Sequence, residues 1–270
     1  MAPLLRVSGL RTVFPAAEDR PHAPVDGVSF ELERGETLAL MGESGSGKSL
    51  TALSIVRLVP PPGAIAGGRI ELEGENLRAL APRAMGRIRG RKIGFVFQDP
   101  SAALNPVFSI GFQIAETLAV HGISRGRDAW RRAVELLDAV HVPEPERRAH
   151  AYPHQLSGGL QQRAMIALAL AADPPLLIAD EPTTALDTTV QAGILDLLRE
   201  LRSRRALAVL LITHDFGVVA ELADRVAVMH AGRIVEEGPV EQIFDSPASP
   251  HTRQLLASVP GTRSAPPRPS

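Results

Sequence analysis

Apolar residues recur with two different periods along this chain. Segments with the alternation of a β-strand are separated by segments with the spacing of an α-helix. The stretch VSFELERGETLALMG (28–42) alternates and then becomes continuously apolar, which predicts two strands, the second buried and ending at Gly42. The same patterns predict further strands in GGRIELEGENL (67–77), KIGFVFQ (92–98), PPLLIADEP (174–182), ALAVLLITHD (206–215) and DRVAVMHAGRIVEEG (224–238).

Helical spacing separates these strands. It occurs in SLTALSIVRLV (49–59), IGFQIAETLAVHG (110–122), DAWRRAVELLDAVHV (128–142), QQRAMIALALAA (161–172) and TVQAGILDLLRELRSR (189–204). In the third of these helices one face is predicted to carry Trp130, Val134, Leu137 and Val140. Strands that alternate with helices predict an α/β core with a mainly parallel sheet, and the helical block 100–165 is predicted to be an inserted lobe.

The composition excludes several kinds of functional site and several classes of protein. The 270 residues are 44% hydrophobic, enough for a large core, and the net charge of −1 lacks the basic excess typical of nucleic-acid binders. The absence of cysteine excludes disulfides, thiolate metal sites and cysteine nucleophiles. No apolar run approaches the roughly 18 residues of a membrane span, and the amino terminus has no pattern of a signal peptide. We therefore expect a soluble, cytoplasmic chain whose membrane role would come through a partner.

The sequence has only two lysines, Lys48 and Lys92, and one of them lies in GESGSGKS (42–49). This segment matches the phosphate-loop pattern G-x-x-x-x-G-K-[ST] between a predicted strand and a predicted helix. Its glycines allow backbone N–H groups to converge on phosphate, while Lys48 supplies a compact charge that arginine cannot imitate. Ser49 is a predicted Mg²⁺ ligand. The predicted nucleotide-binding residues of this segment are Gly42, Glu43, Ser44, Gly45, Ser46, Gly47, Lys48, Ser49 and Leu50.

Two acids end the apolar segment LLIADEP (176–182). With a phosphate loop in the same chain, Asp180 is a predicted Mg²⁺ ligand and Glu181 is predicted to orient and polarise the attacking water. The alternative is that these acids only cap the following helix.

A second predicted anion-binding helix start lies in LSGGLQQR (156–163), formed by Ser157, Gly158 and Gly159. In a chain with a complete phosphate loop this segment resembles the signature motif of the ABC ATPase family. Its companion motifs follow in the family's order. Gln98 in FVFQDP matches the Q-loop glutamine, Asp187 in TALD matches the D-loop acid, and His214 in LLITHD matches the switch histidine.

The resemblance implies further roles for individual residues. Gln98 would also contact the metal, and Phe14 is placed like the aromatic residue that stacks on adenine, although it could instead be a core residue. The resemblance covers roughly residues 4–260 and is closest to the peptide and nickel importer branch, including SPHTRQLLASVP (249–260). Ser249 and His251 depart from that branch's usual His and Tyr, and Leu160 is a mild departure in the signature. Without cysteines, no iron–sulfur cluster is expected.

The family implies a fold with a P-loop core, an antiparallel β subdomain and an inserted helical signature lobe. We expect one ATPase domain over 1–260, with a RecA-like core at about 1–99 and 166–240, the lobe at about 100–165 and a carboxyl-terminal element at 241–260. The tail 261–270 is rich in proline and serine and is expected to be flexible.

The implied function is ATP hydrolysis, with Mg²⁺, to power a membrane importer of di- or oligopeptides. The implied partners are a second ATPase subunit, with a heterodimer favoured, two transmembrane permeases and an external solute-binding protein, but no nucleic acid. The expected location is the cytoplasmic face of the bacterial plasma (inner) membrane. Nickel or another small solute remains an alternative cargo. Three functions of a different kind stay open beside this one: a non-transport ABC ATPase, an ATP-holding regulatory module and a small-molecule phosphotransferase.

Overall fold

The computed structural model describes residues 2–15, 22–184 and 186–258. Its strands are β1 (Leu5–Phe14), β2 (His22–Leu32), β3 (Thr37–Gly42), β4 (Ala64–Leu72), β5 (Glu75–Asn76), β6 (Ile93–Val96), β7 (Leu176–Asp180), β8 (Ala208–Thr213), β9 (Arg225–His230) and β10 (Arg233–Pro239). Its α-helices are α1 (Lys48–Ile55), α2 (Pro82–Ile88), α3 (Pro100–Ala103), α4 (Ile110–Val120), α5 (Gly126–Ala139), α6 (Pro145–Ala149), α7 (Gly158–Leu170), α8 (Thr188–Arg205), α9 (Phe216–Leu222), α10 (Val240–Asp245) and α11 (Pro250–Ala257). Two 3₁₀ turns occupy Leu77–Ala79 and Pro153–Gln155.

A six-stranded sheet forms the centre, in the order β10-β9-β3-β8-β7-β6. Its pairings are parallel from β9 to β6, and only β10 runs antiparallel to its neighbour. All residues of β3, β7 and β8 are buried, which explains why these strands are nearly unbroken apolar runs in the sequence. The predicted mainly parallel sheet is confirmed.

A second, antiparallel sheet has the order β2-β1-β4-β5. The helix α1 lies against it, and the hydroxyls of Thr12 and Ser54 share a buried hydrogen bond of 2.7 Å between their oxygens. One apolar cluster joins this sheet, α1 and one face of the central sheet. The phosphate-loop helix is therefore held between two sheets.

The segment α3–α6 packs against α7, and one apolar cluster joins these helices, α8 and the opposite face of the central sheet. Of the face predicted for α5, Leu137 and Val140 are buried, and Trp130 and Val134 are partly buried against the same apolar cluster. Ala129 and Ala133 are buried as well, although they are not part of the predicted face, and their small side chains permit close packing of α5 against its neighbours. The boundary expected near residue 165 falls inside α7, and the division into core and lobe stays a prediction.

The carboxyl-terminal helices α10 and α11 follow β10, and a third cluster of apolar side chains packs them against β3 and β9. The expected element 241–260 is described as far as residue 258, and the expected flexible tail 261–270 lies outside the described residues. Among the helices that the structure describes, none has both the length and the apolar character needed to cross a membrane.

Gly94 offers a test of the contact between β6 and α7. A Cβ atom at this position would lie 2.5 Å from the carbonyl oxygen of Ala169, so Gly94→Ala must push strand and helix apart. We expect a loss of about 1–3 kcal/mol in the free energy of unfolding, measured by urea denaturation.

The matched control is Gly86→Ala in the exposed part of α2, where a Cβ atom meets nothing within 4 Å. Because alanine is the better helix former, this variant should gain up to about 1 kcal/mol. Equal unfolding midpoints for the two variants would contradict the packing argument.

Candidate active site

Three neighbouring strands end at the same edge of the central sheet. In the parallel register Met41 pairs with Thr213, and Asp180 pairs with Ile212. The residues that follow these pairs, Gly42, His214 and Glu181, therefore emerge beside one another. Strand β6 ends at Val96 next to Ala179, which brings Gln98 to the same edge.

The loop between β3 and α1 requires glycine for two reasons. Gly42, Gly45 and Gly47 have φ angles of 153°, 81° and 103°, a region that side-chain-bearing residues rarely adopt. Space is the second reason, because a Cβ atom on Gly42 would lie 2.2 Å from the carbonyl oxygen of Met229, and one on Gly47 would lie 2.2 Å from that of Pro24. The tight curve predicted from the sequence is thus present.

Lys48 lies inside this curve. Its side chain is buried, and its Nζ donates to the carbonyl oxygens of Gly42 and Glu43 at 2.8 and 2.9 Å. Burial lowers the pKa of the Lys48 ammonium, and the nearby carboxylates of Glu181 and Asp180 oppose that shift. The Ser46 hydroxyl in the same loop is buried without a hydrogen-bond partner among the described residues. A narrow loop with an enclosed cation and an unpaired hydroxyl suits an anionic, oxygen-rich ligand.

Ser49 and Asp180 meet next to the lysine. The Ser49 hydroxyl donates to Oδ1 of Asp180 at 2.9 Å. Burial raises the pKa of the Asp180 carboxyl to about 6, even though the Ser49 hydrogen bond works in the other direction. A hydroxyl and a carboxylate are hard oxygen ligands, so the donor set fits Mg²⁺.

The Glu181 carboxylate is the most heavily hydrogen-bonded acid of the site. It accepts from Nε2 of Gln98 at 3.1 Å and from the Thr184 hydroxyl at 2.8 Å, and its Oε1 lies 3.0 Å from Nδ1 of His214. Burial raises the pKa of Glu181, but the hydrogen bonds from Thr184 and His214, with the positive charge of Lys48, bring it below its usual value. An ionised carboxylate held in this way can polarise a water molecule.

The backbone fixes the direction of this carboxylate. Glu181 has a φ of 47°, and its N–H donates to the carbonyl oxygen of Ile212 at 2.8 Å. The following helix α8 is capped by Asp187, which accepts from the N–H of Val190 at 2.9 Å. The alternative that Asp180 and Glu181 only cap that helix is therefore not what these two side chains do in the structure.

A cavity of about 650 Å³ opens in front of these groups. Its lining includes Glu43, Ser44, Gln98, Glu181 and His214, together with Leu255 and Ser258 from the carboxyl-terminal end of the chain. The sequence did not predict that the carboxyl-terminal end lines this cavity, because no local pattern indicates where α11 packs. Sequence reasoning also missed Thr184, which the turn after β7 brings back to Glu181, its N–H donating to the carbonyl oxygen of Glu181 at 3.2 Å.

The remaining predicted residues occupy different places. Phe14 is half-buried at the end of β1, and its ring lies so close to Gly63 that a Cβ atom there would be 2.5 Å from its Cζ. Leu50 packs partly against the apolar core from α1, whereas Gly45 is exposed at the tip of the loop.

The predicted signature residues form a separate surface. Ser157 and Gly158 are exposed at the start of α7, and the Ser157 side chain makes no capping hydrogen bond. Gly159 packs against Val190, where a Cβ atom would lie 2.5 Å from Cγ1. Asp187 is exposed at the start of α8. These residues are absent from the lining of the cavity, so the described part of the chain carries two distinct candidate sites.

Comparison with known proteins places the chain among relatives. A candidate peptide import ATP-binding protein of Brucella melitensis biotype 1 is 53% identical over 264 residues, which cover 96% of this chain and 78% of the relative. Another of Brucella abortus (strain 2308) is 52% identical over 259 residues, with the same shares of 96% and 78%.

Solved structures of similar fold include ATP-binding proteins as well. A dimeric ATP-binding cassette in a post-hydrolysis state bound to ADP and Pi has a TM-score of 0.78 and 30% identity, covering 87% of this chain and 98% of its own. The protein cbiO1 from Clostridium perfringens, part of an ABC transporter complex, has a TM-score of 0.75 and 26% identity. The match covers 91% of this chain and 92% of cbiO1. The family model described as "ABC transporter" matches residues 25–184, and the chain belongs to this family.

Proposed function

We propose that this chain is the ATP-binding and ATP-hydrolysing subunit that powers a membrane importer of di- and oligopeptides. The observation that carries the proposal is the convergence of Lys48, Ser49, Asp180, Glu181 and His214 at one edge of the sheet, beside a cavity with room for a nucleotide. The names of the Brucella relatives support the peptide cargo.

The phosphate loop is assigned to the triphosphate of ATP. Lys48 would exchange its two carbonyl acceptors for terminal phosphate oxygens, and the backbone N–H groups of 42–47, with Ser49 and Leu50 at the start of α1, would surround the remaining oxygens. Phe14 is assigned to the adenine ring. Mg²⁺ would be held by Ser49, Asp180 and Gln98, and its chemistry is to neutralise charge on the β- and γ-phosphates.

Hydrolysis is assigned to the hydrogen-bonded group around Glu181. The ionised carboxylate would orient and polarise the attacking water, because its lowered pKa keeps it charged and able to accept a hydrogen bond from that water. His214 would contact the γ-phosphate and the water, and Gln98 would join the metal to this group. Thr184 holds Oε2 of Glu181 and so positions the carboxylate.

The signature surface is assigned to the nucleotide of a second subunit. Ser157, Gly158 and Gly159 lie on a different surface from the cavity, so they are available to a partner chain whose own phosphate loop holds its ATP. Asp187 would lie in the same contact. The solved dimeric cassette among the structural neighbours supports this arrangement. We propose a heterodimer with a related ATPase.

The chain would work at the cytoplasmic face of the bacterial inner membrane through partners. These are two transmembrane permeases and, through them, an external solute-binding protein. Membership of cbiO1 in a transporter complex supports a subunit role of this kind. A net charge of −1 gives no support to a nucleic-acid partner.

Lys48→Ala should weaken ATP binding. A charge-assisted hydrogen bond contributes about 1.5–3 kcal/mol, so the affinity for ATP should fall by about one to two orders of magnitude in a calorimetric titration. The chain provides its own control in Lys92→Ala, which removes a half-buried lysine that lies outside the loop and is paired with Glu73 at 2.7 Å. That variant should bind ATP like the wild type. Equal ATP affinities for the two lysine variants would refute the assignment of the loop.

Glu181→Gln should stop turnover while ATP binding persists. The amide keeps the shape of the side chain but cannot accept a proton, so kcat in the assembled complex should fall by about 10²–10⁴-fold. Nucleotide affinity, measured separately, should stay within a few-fold of the wild type. A normal rate of hydrolysis in this variant would show that another group activates the water.

The cargo is tested in the host cell. Deleting this chain should abolish uptake of labelled di- and oligopeptides and leave uptake of labelled nickel unchanged, and expression of the wild-type chain should restore the peptide signal. Loss of nickel uptake alone would assign the other small-solute importer role. Unchanged uptake of both would favour an ABC ATPase that moves neither solute.

A further inference from the structure

Glu43, His230 and His251 form a cluster outside the groups assigned to hydrolysis. Each offers one ligand atom, and the three atoms lie within 4.8 Å of one another. Glu43 and His230 are exposed and His251 is half-buried. In the part of the chain that the structure describes, this is the group of three acids or histidines that meets the spacing of a metal site.

The fold places these side chains together from three distant parts of the sequence. Strand β9 runs parallel to β3 with Met229 opposite Gly42, so His230, which ends β9, and Glu43, which follows β3, lie at adjacent strand ends. The third residue arrives with α11. The start of this helix is tied to β10, because the N–H groups of Ala248 and Ser249 donate to the Glu236 carboxylate at 2.6 and 3.0 Å.

The imidazole rings of His230 and His251 lie close together, but this contact leaves Nε2 of His251 without a hydrogen-bond partner in the described part of the chain. Their ring centroids are 3.8 Å apart with an angle of 41° between the planes. Nε2 of His251 is enclosed and has no hydrogen-bond partner among the described residues. An enclosed ring nitrogen without a partner, in a ring that contacts a second imidazole near a carboxylate, is a suitable donor for a metal ion.

The ligand types define the class of ion. Two imidazoles and one carboxylate match the preference of Zn²⁺ and its neighbours Co²⁺, Ni²⁺ and Cu²⁺, whereas Mg²⁺ prefers an all-oxygen set such as Ser49 and Asp180. In a tetrahedral zinc site with bonds of about 2.0–2.1 Å the donors lie about 3.4 Å apart. Small rotations of these side chains would close the present spacing.

We propose that Glu43, His230 and His251 bind a divalent transition-metal ion of the Zn²⁺ class and that this ion fastens α11 to the phosphate loop. Three protein ligands leave a fourth position for water, as in an open zinc site. Because Glu43 belongs to the loop, and because Leu255 and Ser258 of the same carboxyl-terminal segment line the cavity, the ion would fix one wall of the nucleotide site.

The test uses the purified full chain without nucleotide, stripped with EDTA and then desalted, so its result does not depend on ATPase activity. Zn²⁺ is titrated against a chromophoric chelator, and Co²⁺ is titrated in parallel for the visible absorption bands of a four-coordinate site. We expect one Zn²⁺ per chain and an increase in Tm on binding. His230→Asn and His251→Asn should each weaken Zn²⁺ binding by at least about tenfold, since even outer partners of metal ligands contribute that much.

The matched control is His154→Asn, which removes an exposed histidine that stacks on Tyr152 in the helical lobe. It should retain the wild-type Zn²⁺ affinity and Co²⁺ spectrum. Melting of the metal-free variants shows whether each one is folded, and the two cluster variants provide independent tests. Zn²⁺ binding by His230→Asn and His251→Asn at wild-type affinity, or no stoichiometric Zn²⁺ in the wild type, would overturn the proposal.

Discussion

Backbone hydrogen bonds between β8 and its neighbours β3 and β7 set the register on which the site depends. A slip of one residue in any of these strands would turn its side chains to the other face of the sheet. It would also carry Gly42, Glu181 or His214 away from the shared edge by about 3.3 Å. The fully buried apolar strands oppose such a slip, because it would change the packing on both faces. The residues that stabilise the core therefore also position the reactive groups.

Charged side chains are concentrated at this edge of the central sheet, where they are partly buried. Lys48 is enclosed by the loop, and two acids stand next to it. The surroundings of the two acids give them different pKa values. Burial raises the pKa of Asp180 to about 6, whereas the hydrogen bonds of Glu181 keep its pKa low. Two adjacent carboxyls in one sequence motif are thus given different proton affinities. The lowered pKa keeps Glu181 ionised, so that it could accept a hydrogen bond from water, and a divalent cation held by Asp180 would favour the ionised form of that carboxyl as well.

Local sequence patterns predicted most of the architecture, because each central strand is a short apolar run between turns. The strand ending at Gly42 and the strand predicted within 67–77 are confirmed, and the latter forms a hairpin with β5. The helix predicted to reach residue 59 ends at Ile55, because Arg57 adopts a φ of 55° and three prolines follow. The hydrogen bond between Ser49 and Asp180 and those around Glu181 are observed, but the roles of these residues stay predictions. What the sequence could not predict was long-range: a cavity wall made by α11 depends on packing, which has no local signature.

The separation of the two candidate anion sites has a mechanical consequence. The cavity is built on rigid strand ends, whereas Ser157 and Gly158 are exposed at the start of α7, which is packed into the same apolar cluster as the helical lobe. Because α7 runs from the signature loop into the core next to β6, a force applied to that loop would reach the strand that precedes Gln98. Gln98 in turn contacts Glu181. If a partner's nucleotide binds at Ser157 as proposed, packed helix and strand would connect it to the carboxylate proposed to activate water in this chain's own site.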